Sequence, residues 1–218
     1  MSKNDKFKIA VMVSGGGTNL QSIIDNIENG FINAKISVVL SSRKNAFALE
    51  RAKRSGIKSE FCSPKKYSNE KEYSKKLLEI LDDYRPDLIV LAGFMSVLSD
   101  EFIDRYKNKI MNTHPSLLPA FGGKGYYGHH VHKAVLDYGV KVSGATIMFV
   151  NKEVDKGPII LQQAIEVSED ESIESLQKKV LKVEHKLYPI AIKLYSEGKL
   201  KVEGRVVRIT EQKGEAND

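Results

Sequence analysis

The first apolar stretch, residues 8–13 (KIAVMV), is short and rich in β-branched residues. Ser14-Gly15-Gly16-Gly17-Thr18-Asn19 interrupts it, and Leu20, Ile23, Ile24 and Ile27 then recur at i, i+3, i+4 and i+7 before Gly30. That switch of period predicts a strand, a glycine loop and a helix. Residues 36–40 (ISVVL) repeat the strand signal, and residues 46–55 read as a helix ended by Gly56. A third helix over residues 69–84 puts Tyr73, Leu77, Ile80, Leu81 and Tyr84 on one face, and Pro86 stops it. Residues 88–91 (LIVL) are apolar without a break, which suits a strand buried on both faces of a parallel sheet. A short helix over residues 99–106 leads to a strand ending in Ile110-Met111-Asn112-Thr113. Strand alternating with helix predicts an α/β fold, a doubly wound, mostly parallel sheet with helices on both faces. Right-handed crossovers then bring every strand's C-terminal end to one edge.

The pattern changes after Asn112. Residues 114–128 are a loop with two prolines and four glycines, and residues 129–138 read as a helix. Residues 142–150 and 159–167 read as two strands joined by a turn that contains Asp155, Gly157 and Pro158. A long helix over residues 172–197 carries Ile173, Leu176, Val180, Val183, Leu187 and Ile190 in steps of three and four. Pro189 lies inside it and is expected to kink it by leaving the His185 carbonyl without a donor. One last strand is predicted over residues 201–209. No repeat or linker divides the chain, so a single domain over residues 1–209 is expected, with residues 210–218 as a polar, frayed tail.

The chain has 218 residues, 41% of them apolar and 28% charged, which excludes disordered, collagen-like and low-complexity classes. Thirty-four basic against 28 acidic residues leave +6. The lysines are dispersed, so this charge favours solubility first and attracts small anions second; nucleic acid is not an expected partner. Cys62 is the one cysteine, so neither an intrachain disulfide nor a cysteine zinc cluster can form. The first apolar run is too short for a signal peptide core or a membrane span. A soluble, cytoplasmic protein with small-molecule partners and no membrane partner is expected, as a monomer or weak homodimer. His129, His130 and His132 cluster, but without H-E-x-x-H, and no metal is expected.

Glycines after a buried strand let backbone approach a ligand, and amides at the following helix start favour an anion. Leu20 stands where a dinucleotide fingerprint needs its last glycine, and residues 41–43 offer no acid for a ribose. No Gly-Lys-Ser/Thr follows either, so a phosphomonoester is the better candidate, against a plain tight turn and helix cap. Asn112 and His114, two apart at a strand end, point the same way on an extended chain. An imidazole there can move protons near neutrality, and an adjacent amide can donate to a developing oxyanion. Asp155 could face His114, or be an ordinary turn aspartate.

Five stretches in order resemble the glycinamide ribonucleotide formyltransferases, folate-dependent enzymes of purine biosynthesis. They are VSGGGTNLQSII (13–24), DLIVLAGFMSVLS (87–99), NTHPSLLPAF (112–121), EVDKGPIILQ (153–162) and VEHKLYP (183–189). The resemblance implies a Rossmann-like formyltransferase fold and transfer of a formyl group from 10-formyltetrahydrofolate, as co-substrate, to the substrate's amine. It assigns Asn112, His114 and Asp155 to catalysis and Gly17, Thr18 and Asn19 to the substrate phosphate. It assigns Glu184 to the ribose hydroxyls. It places the backbone of Met95, Ser96, Val97 and Leu98, with Asn112, in the pterin pocket. Independently, Glu184 falls near the apolar stripe of its helix, where a lone inward carboxylate wants a partner. Ser96 and Glu70 stand where the family usually has basic residues, so Lys65, Lys66 or Lys71 is expected to hold the folate's glutamate tail. Residues 121–128 replace a proline-glycine loop, and their glycines suit either a mobile lid over the folate site or a static turn. The alternatives are a formyltetrahydrofolate hydrolase, and a non-catalytic phosphate-binding sensor. Related methionyl-tRNA formyltransferases and formyltetrahydrofolate deformylases carry extra domains for which this length leaves no room.

Overall fold

The computed structural model describes residues 6–210. Residues 1–5 and 211–218 lie outside them, and with them most of the tail expected from residue 210 onward. Its first half alternates as the periodicity predicts: β1 (Phe7–Val13), α1 (Thr18–Glu28), β2 (Ala34–Ser41), α2 (Phe47–Arg54), β3 (Ser59–Phe61), α3 (Glu70–Tyr84), β4 (Leu88–Leu91), α4 (Asp100–Arg105) and β5 (Ile110–His114). These strands lie in the order β3-β2-β1-β4-β5, all parallel. The second half is α5 (His129–Tyr138), β6 (Val142–Phe149), β7 (Ile159–Glu166), α6 (Ile173–Ser196), β8 (Leu200–Glu203) and β9 (Val206–Ile209), and it extends the same sheet as β5-β6-β7-β9-β8.

Alternation along the strands divides the core between the two faces. Ile9, Val11 and Val13 pack with Leu20 and Ile23 of α1, Ala48 of α2 and Leu187 of α6. Ala10 and Met12 pack with Tyr73 and Leu77 of α3 and Phe102 of α4. Burial of these side chains on both faces supplies most of the favourable free energy, at roughly 25 cal/mol per Å² of apolar surface removed from water.

Four expectations change. The strands do not all end at one edge: β6 runs antiparallel to both β5 and β7, and β8 antiparallel to β9, the β6–β7 and β8–β9 connections being short reversals rather than helical crossovers. The single strand expected over residues 201–209 is a hairpin, reversed where Gly204 takes φ 62°. The His185 carbonyl is not left without a donor, since Ser22 Oγ of α1 donates to it at 2.9 Å and α6 runs unbroken past Pro189. The three-residue edge strand β3 and the 3-10 turn at Pro64–Lys66 were not anticipated, being too short to show a period. No helix among the described residues is long and apolar enough to cross a membrane.

Candidate active site

β5 sends alternate side chains to opposite faces. Ile110 belongs to the core under α3 and α4 and Met111 to the core under α1 and α6, so Asn112 and His114 share the α3/α4 side while Thr113 faces α6. Asn112, His114 and Asp155 line one cavity of about 360 Å³. The structure therefore brings the three together.

Asp155 arrives by an indirect route. β6 ends opposite Met111, and Val150 donates to the Ile110 carbonyl at 2.9 Å, so the following turn starts at the far end of β5. It then folds back along the sheet until Asp155 Oδ2 stands 3.4 Å from His114 Nδ1, both side chains buried. Gly157 permits the reversal, since a Cβ there would lie 1.7 Å from the Phe149 carbonyl oxygen. The other ring nitrogen, Nε2, is 2.8 Å from the Phe121 carbonyl oxygen, a pure acceptor, so Nε2 carries a hydrogen. Gly123 N–H donates to Asp155 Oδ2 at 3.0 Å. Residues 121–123 thus touch both members of the pair. Phe121 and Asp155 hold φ of 52° and 56°, left-handed backbone that costs a non-glycine residue about 1–3 kcal/mol and collects at functional sites.

Segment 115–120 is pinned from β6 and β7. Thr146 Oγ1 donates to the Ser116 carbonyl at 2.7 Å and accepts from Leu118 N–H at 3.1 Å, and Gln162 Nε2 donates to the Leu118 carbonyl at 2.9 Å. Sequence reasoning missed both residues. A polar residue inside an apolar strand, as Thr146 is, was the available signal.

On the α6 side Glu184 is buried. It accepts from Thr113 Oγ1 at 2.8 Å and from Asn19 Nδ2 at 3.2 Å. Burial raises its carboxyl above the usual range, against the two hydrogen bonds that favour its charge. The carboxylate that wanted a partner has two, on the glycine-loop helix and on the strand of Asn112. The loop itself is shaped by α2. Gly17 sits at φ 71°, and a Cβ there would stand 2.6 Å from Ala48 Cβ. Arg51 Nε donates to the Gly16 carbonyl at 2.8 Å and Nη1 to Gln21 Oε1 at 3.0 Å, a clamp that no sequence motif announced. Gly15, Gly16 and Thr18 remain exposed at the start of α1, where unpaired amides and the helix dipole favour an anion.

The segment 93–98 forms one wall of the larger cavity. Met95 N–H donates to Ser14 Oγ at 2.8 Å, and Ser14 Oγ bonds Ser42 Oγ at 2.6 Å, which ties this wall to the ends of β1 and β2. Leu91, Phe94, Leu98 and Met148 give the cavity an apolar lining suited to a flat heterocycle. Of the lysines expected at the glutamate tail, Lys71 pairs with Glu101 at 3.8 Å, and Lys65 and Lys66 are exposed on the 3-10 turn. His129 and His130 stack at the surface, 4.3 Å between ring centroids, whereas His132 is buried. Among the described residues no group of three or more His, Cys, Asp or Glu is arranged to hold a metal ion.

A mixed sheet, parallel from β3 through β5, with an anion-favouring loop after β1 and an Asn-x-His on β5 facing a carboxylate, agrees with the formyl transferase model, which matches residues 7–192. The phosphoribosylglycinamide formyltransferase of Haemophilus influenzae is 40% identical over 195 residues, 89% of this chain and 90% of that one. Glycinamide ribonucleotide transformylase 1 of Symbiobacterium toebii superposes with a TM-score of 0.90 at 42% identity, covering 96% of each chain. The trifunctional purine biosynthetic protein adenosine-3 of Bos taurus is 37% identical over 208 residues, but the chain spans only 20% of its length. The chain belongs to the phosphoribosylglycinamide formyltransferase family.

Proposed function

We propose that the protein transfers a formyl group from 10-formyltetrahydrofolate to the amine of glycinamide ribonucleotide, a step of purine biosynthesis. The observation that carries this reading is the meeting of Asn112, His114 and Asp155 in one cavity, next to a smaller one lined by Asn19, Thr113 and Glu184. Gly17, Thr18 and Asn19 hold the phosphate and Glu184 accepts from the ribose hydroxyls. The backbone of Met95, Ser96, Val97 and Leu98 presents donors and acceptors to the pterin. The folate supplies an activated formyl group and a nitrogen leaving group.

The Asn112 carboxamide donates to the oxygen on which negative charge develops as the amine attacks, and such a donor is worth ~10²–10³ in rate. Asp155, 3.4 Å from Nδ1, keeps His114 oriented, so that its ring N–H can donate to that oxygen too. Because Nε2 is bonded to the Phe121 carbonyl, His114 reaches the oxygen only when this contact is exchanged for the substrate. Residues 121–128 therefore act as a lid whose inner end is fastened to the catalytic pair. Asp155 then takes part in moving the amine's proton to the departing nitrogen through water. No covalent enzyme intermediate is needed.

The test follows a carbon-labelled formyl donor with and without glycinamide ribonucleotide. Label on the ribonucleotide, formed only when it is present, supports transfer. Free labelled formate at turnover rates without ribonucleotide would make the protein a hydrolase. An unconsumed donor would make it a sensor.

A further inference from the structure

Beside the transfer cavity, and sharing Gly93, Met95 and Gly128 with it, lies a smaller cavity of about 150 Å³. Asn19, Thr113, Glu184 and His132 of α5 all line it. The hydrogen bonds here do not close. Glu184 takes one from Asn19 and one from Thr113, yet Asn19 Oδ1 and His132 Nδ1 are both buried without a partner among the described residues. His132 is 2% exposed, and its neighbours on the inner face of α5, Val131 and Val135, are fully buried aliphatics. An imidazole at such a position is costly while a polar atom is left unpaired, and a valine or leucine would avoid that cost. Two orphaned polar atoms on residues that line one cavity point to a ligand that supplies what they lack.

The chemistry narrows the ligand. Desolvation, then the positive neighbours His114 and His129, push His132 down to about 4, so the ring is neutral at pH 7. A neutral imidazole offers one N–H donor and one lone pair, the same pair of functions as a hydroxyl. It offers a phosphate no charge. On the same lining, Asn19 Oδ1 lacks a donor and the Glu184 carboxylate, with two donors already, has acceptor capacity left for an O–H.

We propose that His132 is a positioning residue for the acceptor substrate, its ring hydrogen-bonding one hydroxyl of a pentose that Glu184 holds from the other side. This deepens the formyl-transfer reading and rests on it. It also gives a buried residue of the histidine cluster a task other than metal binding.

Steady-state kinetics with glycinamide ribonucleotide and with its 2′-deoxy and 3′-deoxy analogues test it. His132→Phe keeps the ring's shape and removes both functions. KM for the ribonucleotide should rise roughly tenfold to a hundredfold, with kcat within about threefold and KM for the formyl donor unchanged. One deoxy analogue should be penalised in the wild-type protein and no longer in His132→Phe, because the missing hydroxyl then has no partner to lose. His132→Asn, which keeps a donor and an acceptor, should recover part of the affinity and stands in if the phenylalanine variant fails to fold. An unchanged ribonucleotide KM, or the same penalty for each deoxy analogue in wild type and variant, overturns the proposal. Failure of formyl transfer itself is seen separately, as absence of turnover by the wild type. Calorimetric binding of ribose 5-phosphate to wild type and His132→Phe then decides the role of His132 by the same comparison.

Discussion

The glycine loop and the transfer centre adjoin the same end of β5, but they are made of different material. The loop is contiguous. Residues 14–19 follow one strand and open one helix, and what they present is backbone, held from behind by Ala48 and Arg51. The transfer centre is convergent. Asn112 and His114 come from β5, Asp155 from a turn folded back along the sheet, and the Phe121 carbonyl from a loop between them in sequence. A backbone cradle is damaged by adding atoms, whereas a centre of side chains is damaged by removing them. The cradle should therefore govern binding and the convergent centre the rate.

The largest expected effect falls on the convergent side. Asn112→Ala should lower the single-turnover transfer rate by ~10²–10³, and His114→Ala by at least as much. Retained transfer in the histidine variant would refute its role. Next is the cradle. Gly17→Ala must hold φ 71° and place its methyl 2.6 Å from Ala48 Cβ and 2.9 Å from Ala48 Cα. Ribonucleotide KM should rise about tenfold or more with kcat preserved, since strain of this kind costs roughly 1–3 kcal/mol at a site that does no chemistry. Asp155→Asn keeps the size of the side chain and removes its charge. It should cut kcat about tenfold by loosening the orientation of His114; an unchanged kcat would uncouple Asp155 from His114.

The smallest effect concerns stability. Burial raises the Glu184 carboxyl, so the folded protein takes up that proton more readily than the unfolded chain. The stabilisation is full below the ordinary carboxylate range and is lost as pH rises through the folded-state value. Above that value the buried, ionised carboxylate is a cost retained for binding. Glu184→Gln should therefore melt a few degrees higher at pH 7 while binding the ribonucleotide more weakly, and the gain should shrink in acid. A lower melting temperature at pH 7 would contradict this account of the carboxylate.

What the sequence revealed follows the same division. β1, the glycine loop and α1 are local, and the change of period from two to 3.6 marks each boundary within a residue or two. The pairing of Asn112 with His114 needs only strand alternation. Asp155 was ambiguous because its place depends on a turn that doubles back, and nothing local shows a turn's direction. The Ser22 hydroxyl on the His185 carbonyl, the Phe121 carbonyl on His114 and the Arg51 clamp are contacts between distant segments, invisible to periodicity. The hairpin at Gly204 was hidden because two short strands read like one interrupted one. His132 lay in plain view as part of a histidine cluster, and burial, which the sequence does not state, set it apart.

The division of labour is tested most directly by calorimetric titration of glycinamide ribonucleotide into His114→Ala and Gly17→Ala side by side. The histidine variant should bind within about threefold of the wild type and the glycine variant at least about tenfold more weakly. Equal losses in both, or the reverse order, would show that anchoring and chemistry are not separately housed.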